Sequence, residues 1–180
     1  MTRYQLAEPI APEIATELSE HHPLIQQLLV NRGITTSAAA KSWLTPAYDA
    51  ALNDPFLLND MAVAVERVMQ AIAKNEPVVI YSDYDCDGIP GAVVLHDFFT
   101  EIGFTNFSVY IPHRHHEGFG FNADAAKTLA KEGAKLIITI DCGIGDRDAV
   151  AEANKAGVDI IITDHHQAKA DLPEAVAIVN

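Results

Sequence analysis

The chain has 180 residues, of which 49% are hydrophobic and 21% charged, and its formal net charge is −13. This length fits one domain, or a domain with an appendage, and no apolar run is long enough to predict a membrane span. The residues after Met1 lack a signal-peptide pattern and there are only two cysteines, so we expect a cytoplasmic protein. The acidic charge argues against tight binding of nucleic acid by this chain alone, but not against a site for a phosphate ester.

Residues 1–52 are predicted to form a small helical arm. The first part of this arm, up to about residue 20, has no clear period and is predicted to be a loose lead-in. One helix is predicted to start at Pro23, and a second one to follow a cap at Thr36 or Ser37.

Residues 53–180 are predicted to form an α/β domain, a parallel sheet flanked by helices on both faces. The predicted strands are 78–82, 107–111, 136–140, 160–162 and 175–179. Helices are predicted before and between them, with side-chain caps at Asp60, Asn122 and Asp146 and a start at Pro90. Continuously apolar strands that alternate with helices indicate parallel strands covered on both faces. Ligands of such sheets bind beyond the carboxyl ends of the strands.

Three aspartates, Asp83, Asp85 and Asp87, follow the first strand at alternate positions. Alternate residues of an extended chain share a face, so the three carboxylates are predicted to converge. Like charges this close repel one another strongly unless a cation neutralises them, and the segment therefore predicts half of a metal site. On the same geometry Cys86 points the other way and is predicted to be a small buried apolar residue.

Two further strands end in residues that can bind a metal: Asp141 after the third strand, and Asp164, His165 and His166 after the fourth. A single aspartate at a strand end often only caps the next helix, but three such ends, one with paired histidines, favour a metal site. Mixed carboxylate and imidazole ligands favour Mn²⁺, with Mg²⁺ as an alternative. The number of candidate ligands predicts two ions bridged by Asp141.

Each member of this group is assigned a role. Asp141 and His165 are predicted to bind metal, and Asp164 to orient an imidazole N–H. His166 is predicted to point elsewhere and to contact a substrate phosphate. In two-metal chemistry a deprotonated water attacks phosphorus in line, which makes Asp141, His165 and His166 the candidate catalytic residues.

Residues 83–88, 141–144 and 164–166 resemble, in order, motifs I, II and III of the DHH phosphoesterase superfamily. Within it, the resemblance is greatest to the RecJ family of 5′→3′ exonucleases specific for single-stranded DNA, because residues 112–122 and parts of the arm also match. The resemblance covers most of residues 24–180. It implies a DHH-type domain and a nuclease that acts in DNA repair and recombination.

The resemblance also implies ligands and a missing part. It assigns Asp85, Asp87, Asp141 and His165 to manganese, and Asp83 matches the first acid of motif I. The fourth motif of the family, with a further metal-binding aspartate, and a C-terminal substrate-binding domain are expected beyond residue 180. We therefore expect this chain to be the front part of a longer enzyme and to be poorly active in isolation.

Residues outside the motifs are candidates for substrate contact. Arg114 and His113 are predicted to meet a phosphate, although an ion pair with Glu117 is an alternative for Arg114. The backbone of Gly143 is predicted either to present an N–H to a phosphate or to serve a tight turn. Glycines on both sides of Phe119 predict a flexible loop that closes over substrate.

Three functions compete at this point. The first is hydrolysis of single-stranded DNA, as the resemblance implies. The acidic charge favours a second, a DHH phosphodiesterase that acts on short oligonucleotides or cyclic dinucleotides. The third is a non-catalytic scaffold, which the intact acids of all three motifs argue against. Protein partners are not predicted.

Overall fold

The computed structural model describes residues 5–48, 52–168 and 170–180. The chain divides into two compact units, Met1–Asn53 and Asp54–Asn180. The boundary drawn from the sequence, between residues 52 and 53, lies one residue earlier. Within the described ranges, no helix has both the length and the apolar character needed to cross a membrane.

The described residues of the first unit include three short helices, α1 (Pro12–Glu17), α2 (Pro23–Val30) and α3 (Ser37–Leu44). A proline opens both α1 and α2, where its missing N–H costs nothing, and Thr36 Oγ1 caps α3 by accepting from Ala39 N at 3.2 Å. The prediction of a loose lead-in is therefore wrong for residues 12–17. The small core of this unit consists of Leu18, Leu29 and Ala40.

The second unit begins with a 3₁₀ turn at Pro55–Leu57, and its described residues form four α-helices and five parallel strands. The helices are α4 (Met61–Lys74), α5 (Gly88–Glu101), α6 (Ala123–Lys131) and α7 (Arg147–Lys155). The strands are β1 (Val78–Ser82), β2 (Phe107–Tyr110), β3 (Leu136–Ile140), β4 (Asp159–Thr163) and β5 (Ala177–Val179). Their order across the sheet is β2-β1-β3-β4-β5, so β3 is central.

Both faces of the sheet are covered, as the apolar strands predicted. On one face α6 and α7 pack on alternate strand residues such as Tyr81, Ile137 and Ile160. On the other face α4 and α5 pack on the residues between them, such as Ile80 and Ile138. Because strand residues alternate between faces, two apolar layers require the continuous apolar runs that the sequence contains.

Strand register aligns the ends that carry the polar motifs. Ser82, the last residue of β1, pairs with Ile140 at the end of β3, and Ile140 pairs with Thr163 at the end of β4. The residues directly after these three strands must therefore emerge side by side at the carboxyl edge of the sheet.

Helix caps show where local patterns are insufficient. Asn122 caps α6 as predicted, with its Oδ1 accepting from Ala125 N at 2.7 Å. Asp60 and Asp146 precede α4 and α7, but the prediction that their side chains cap these helices is wrong. Asp60 accepts from Ile178 N at 3.1 Å and Asp146 from Phe121 N at 2.8 Å, so both carboxylates bind distant backbone instead.

Candidate metal centre

Three aspartates stand side by side at the carboxyl edge of the sheet. Asp83 donates its N–H to Ile140 O, Asp141 to Thr163 O and Asp164 to the fifth strand, so the hydrogen-bond ladder fixes the first residue after β1, β3 and β4. The parallel sheet thus brings together acids that are far apart in sequence. This is the edge at which ligands of open parallel sheets bind.

Asp141 lies at the centre of this edge and is buried, with 7% of its surface exposed. Its backbone has a left-handed φ of 59°. Although His165 Nε2 lies 2.9 Å from Asp141 Oδ1, the two groups are not aligned for a hydrogen bond, and Oδ1 has no hydrogen-bond partner. A buried carboxylate oxygen in this condition is costly, and a cation is the natural counterpart of such an oxygen.

The surroundings of Asp141 change its proton affinity. Burial raises the pKa of Asp141, and so does the neighbouring Asp85 carboxylate, whereas His165 and His166 act in the opposite direction. The carboxylate is therefore buried next to another acid, and the two imidazoles partly balance its charge. Carboxylate and imidazole donors of this kind fit a divalent cation.

Two imidazoles approach the same carboxylate oxygen. His165 Nε2 lies 2.9 Å from Asp141 Oδ1 and 3.8 Å from Asp87 Oδ2, and His166 Nδ1 lies 3.8 Å from Asp141 Oδ1. The prediction that His166 points elsewhere is wrong, because its ring joins the cluster. One donor atom from each of Asp141, His165 and His166 lies within 4.8 Å of the others, and the described residues contain no other group of this kind.

Asp164 holds the histidine segment in place. Its side chain is 1% exposed; Oδ1 accepts from the N–H groups of His165 and His166 at 2.7 and 3.0 Å, and Oδ2 from Ile144 N at 3.0 Å. His166 Nδ1 also lies 2.7 Å from Oδ1. Burial raises the pKa of Asp164, but these hydrogen bonds outweigh it and leave the pKa below its usual value. Both oxygens of Asp164 therefore accept hydrogen bonds that orient residues 165 and 166. The imidazole that lies against this carboxylate is that of His166.

Motif I reaches the centre by a turn and not by an extended strand. β1 ends at Ser82, and Asp85 Oδ1 accepts from Asp87 N and Gly88 N, both at 3.0 Å. These two hydrogen bonds lower the pKa of Asp85, and the one from Gly88 N has the larger effect. A side chain at Gly88 is impossible without rearrangement, because its Cβ would lie 2.4 Å from Asp83 O. The predicted alternation along an extended segment is therefore wrong.

The same turn explains the correction at Cys86. The thiol is exposed, whereas the extended geometry predicted a buried residue. The corresponding cysteine of the second motif, Cys142, is buried, and burial raises the pKa of its thiol. The spacing of the aspartates alone does not show whether the residues after Ser82 continue the strand or form a turn.

All five predicted metal ligands lie at this edge, and their ligand roles remain predictions. Asp141 and His165 are in direct proximity, Asp87 lies 3.8 Å from His165, and Asp85 is close enough to raise the pKa of Asp141. Asp83 lines a cavity of about 250 Å³ together with Asp141. Asp83 Oδ1 accepts from Tyr84 N at 2.7 Å, so this oxygen is already engaged with the backbone of the next residue.

The predicted substrate residues lie around the rim. Arg114 stacks on the ring of Tyr84, with its guanidinium carbon 4.5 Å from the ring centroid. It does not pair with Glu117, whose carboxylate accepts from His113 N at 2.7 Å and from the Tyr110 hydroxyl. The alternative of an Arg114 ion pair is therefore wrong, and the cationic group lies beside motif I.

The backbone conformation and close packing at Gly143 explain why a glycine stands at this position. Its φ is 111°, and a Cβ at this position would lie 2.7 Å from Thr139 Oγ1. The N–H of the next residue, Ile144, is already donated to Asp164. These observations favour the tight-turn interpretation, and a contact between Gly143 and substrate stays a prediction.

Residues 77–180 match the DHH family, N-terminal domain. The chain belongs to the DHH family. This result confirms the resemblance found from the three motifs, and the candidate metal centre is formed by the segments that resemble DHH motifs I, II and III.

Relatives within the DHH family are RecJ proteins. The chain is 37% identical over 181 residues to the single-stranded-DNA-specific exonuclease RecJ of Bacillus subtilis, a match that covers 99% of this chain and 23% of the relative. It is 31% identical over 170 residues to the protein of the same name from Dickeya dadantii, which covers 94% of this chain and 29% of the relative. The chain thus spans about a quarter of the length of these relatives.

The fold matches a solved RecJ structure as well. A crystal structure of exonuclease RecJ bound to manganese superposes with a TM-score of 0.65 at 27% identity, over 71% of this chain and 32% of that chain. The predicted fold class, a parallel sheet flanked by helices and preceded by an arm with helices, is confirmed.

Tyr81, whose hydroxyl binds the loop beside the candidate metal centre, was not identified from the sequence. Tyr81, on β1, donates its hydroxyl to Gly120 O at 2.9 Å and accepts from Asn122 Nδ2 at 3.3 Å. A tyrosine inside an otherwise apolar strand was the available signal, because a buried phenol needs a hydrogen-bond partner.

Proposed function

We propose that the protein is a RecJ-like exonuclease that hydrolyses single-stranded DNA from its 5′ end, with Mn²⁺ as cofactor, in DNA repair and recombination in the cytoplasm. The observation that carries this proposal is the unpartnered oxygen of the buried Asp141 carboxylate, at the point where the motif acids and two imidazoles meet. The names of the DHH relatives suggest the reaction, and the solved RecJ structure bound to manganese suggests the metal.

The residues that would hold the metal are the five acids and imidazoles of the rim: Asp83, Asp85, Asp87, Asp141 and His165. A divalent cation in such a site neutralises the charge of a phosphodiester and makes water a nucleophile near neutral pH, and two ions clamp the attacking and leaving oxygens; Mg²⁺ is the alternative to Mn²⁺. In this proposal Asp141, which lies at the centre of the edge and is approached by both histidines, would be the ligand that both ions share.

The substrate side of the proposal concerns phosphate. Arg114, unlike Arg67 and Arg147, has no carboxylate within ion-pair distance in the described part of the chain, and its planar donors are free for a phosphate. Stacking on Tyr84 keeps the guanidinium beside motif I. His113, His166 and the backbone at Gly143 are the further candidate contacts to the phosphodiester.

The test is hydrolysis by the intact protein with an Asp141→Asn variant. Asparagine tolerates the left-handed backbone of this position, so the change removes charge while the fold is retained. We expect loss of Mn²⁺ binding by titration calorimetry and a loss of rate of at least about 100-fold on labelled single strands. The matched control is Asp124→Asn, because the side chain of Asp124 is 98% exposed on α6.

The controls separate the parts of the proposal. The Asp124→Asn variant should keep the wild-type rate and metal affinity, and a wild-type rate in Asp141→Asn would refute the assignment of the centre. A strand blocked at its 5′ end should survive, while one blocked at its 3′ end is degraded. Equal degradation of single strands and duplexes would contradict the substrate assignment.

A second candidate is a DHH phosphodiesterase that acts on short oligonucleotides or cyclic dinucleotides. The net charge of −13 favours it, since a strongly acidic chain repels a long polyanion more than a dinucleotide. Competition decides between the two: if long single-stranded DNA outcompetes dinucleotides, this candidate fails.

A further inference from the structure

The loop beside the metal centre forms part of its wall. Phe119 and Gly120 line the cavity of about 250 Å³ that also contains Asp141 and His166. Phe119 is 79% exposed, and its two neighbours, Gly118 and Gly120, both have a left-handed φ, of 80° and 83°. A loop with this backbone has little rigidity of its own, so its position depends on what holds it.

Two buried or half-buried groups hold this loop from below. The Tyr81 hydroxyl donates to Gly120 O at 2.9 Å and accepts from Asn122 Nδ2 at 3.3 Å. The Asp146 carboxylate accepts from Phe121 N at 2.8 Å and leaves no spare room, since a Cβ on Gly120 would lie 3.1 Å from it. The loop is thus pinned to β1 on one side and to the start of α7 on the other.

The Tyr81 ring makes its hydroxyl a fixed donor. The ring is fully buried, stacks on Tyr110 with 5.3 Å between centroids and meets the edge of Phe121 at 4.9 Å. Burial raises the pKa of Tyr81, so the phenol keeps its proton at all physiological pH values. Because β1 carries Tyr81 and leads directly into motif I, this strand is connected to the candidate metal centre at its end and to the cavity wall through Tyr81.

We propose that Tyr81 and Asp146 are positioning residues that set the place of the Phe119–Gly120 wall, and thereby the affinity for a nucleotide strand, without contributing to metal binding. This inference rests on the proposed function for its ligand, a single-stranded oligonucleotide, and on the hydrogen bonds above for its mechanism. It implies that loss of the hydroxyl at Tyr81 changes substrate affinity while the metal cluster stays as it is.

The test compares the intact protein with its Tyr81→Phe variant, which keeps the ring packing and loses only the hydroxyl. Amide hydrogen exchange at residues 118–121 should become about tenfold faster, while exchange in β3 and β4 is unchanged. The dissociation constant for a short, hydrolysis-resistant phosphorothioate single strand should rise about fivefold, with unchanged Mn²⁺ affinity and, in turnover assays, a higher KM at constant kcat.

Two further variants guard the interpretation. Asn122→Ser keeps a capping hydroxyl for α6 but loses the contact with Tyr81, and it should shift both readouts in the same direction by a smaller factor. Phe99→Leu weakens the core on the opposite face of the sheet, far from the loop contacts, and should lower stability without a change in exchange at residues 118–121 or in affinity.

The outcomes distinguish this inference from the proposed function. Unchanged loop exchange, unchanged oligonucleotide affinity, or a parallel loss of Mn²⁺ affinity in Tyr81→Phe would each overturn the positioning role. If wild type binds the oligonucleotide but hydrolyses no DNA, the proposed function fails, and the affinity measurement still decides the inference. If wild type binds no oligonucleotide, both fail.

Discussion

The two edges of the sheet carry opposite solutions to the same electrostatic problem. At the amino edge Arg67 lies between two acids, with Nη2 2.8 Å from Glu76 Oε2 and Nε 2.6 Å from Asp159 Oδ2. At the carboxyl edge the acids of the three motifs have no lysine or arginine partner in the described ranges, and only His165 and His166 approach them.

The two edges differ in the positively charged group that faces their acids. At the amino edge Arg67 supplies a permanent positive charge, although Arg67 Nη1 and Glu76 Oε2 are themselves buried without a hydrogen-bond partner. At the carboxyl edge the buried Asp141 Oδ1 also has no hydrogen-bond partner, and in the described part of the chain no lysine or arginine lies within ion-pair distance of the motif acids. A fold that pairs the acids of one edge with an arginine, and leaves the acids of the other edge without such a pair, keeps the second edge free for a cation from outside.

The largest expected change in stability comes from removing the Arg67 guanidinium at the amino edge. Replacing Arg67 by methionine should lower the free energy of unfolding by about 3 kcal/mol, the low end for a broken buried pair because Asp159 is half exposed. Urea denaturation measures this loss, and Mn²⁺ affinity should not change. As a control, Arg147→Met removes a pair whose acid, Asp171, is exposed, and it should cost less than about 1 kcal/mol. Equal effects of the two variants would contradict the role given to Arg67.

Added Mn²⁺ should supply positive charge, and thereby stability, at the carboxyl edge, as Arg67 does at the amino edge. At a free Mn²⁺ concentration one hundred times its dissociation constant, the free energy of unfolding should rise by about 2.7 kcal/mol, because the metal binds only the folded state. Denaturation with Mn²⁺ and with a chelator gives the difference. The gain should disappear in Asp141→Asn, and a gain of wild-type size in that variant would place the metal elsewhere.

The sequence predicts the features of the two edges that follow from the strand pattern, but not those that depend on contacts between distant segments. That Asp83, Asp141 and Asp164 meet was predictable, because each follows an apolar strand and parallel strands end at one edge. The path of residues 83–87 was not, because a period of two fits an extended segment and the observed turn equally well.

Contacts between distant segments account for the remaining errors. Asp60 and Asp146 have the sequence context of helix caps, yet their carboxylates bind the N–H groups of Ile178 and Phe121. Asp164 was predicted to orient an imidazole, but not that of His166, and this contact brings the His166 ring into the cluster. Local propensity locates an element, but only tertiary partners decide where a polar side chain is used.

A smaller effect is expected from Asp164→Asn. The amide keeps one accepting oxygen and replaces the other by a donor, which cannot accept the N–H groups that now bind both oxygens. The histidine segment should lose its fixed orientation, and Mn²⁺ affinity should fall about tenfold, as for other groups that orient metal ligands. Titration calorimetry measures the change, with Asp171→Asn, an exposed acid, as the control. An unchanged affinity would mean that Asp164 serves the fold alone.

The smallest predicted effect is also the one that separates the two edges most directly. In metal-free protein, Asp141→Asn should raise the free energy of unfolding by about 1 kcal/mol, because it removes a buried charge that lies beside Asp85 and lacks a hydrogen-bond partner. Asp159→Asn at the other edge should lower it, since that charge is paired with Arg67. Chemical denaturation in chelator measures both variants, and saturating Mn²⁺ should reverse the order of wild type and Asp141→Asn. If Asp141→Asn destabilises the metal-free protein as Asp159→Asn does, then the carboxyl edge is compensated within the chain and is not built for a cation.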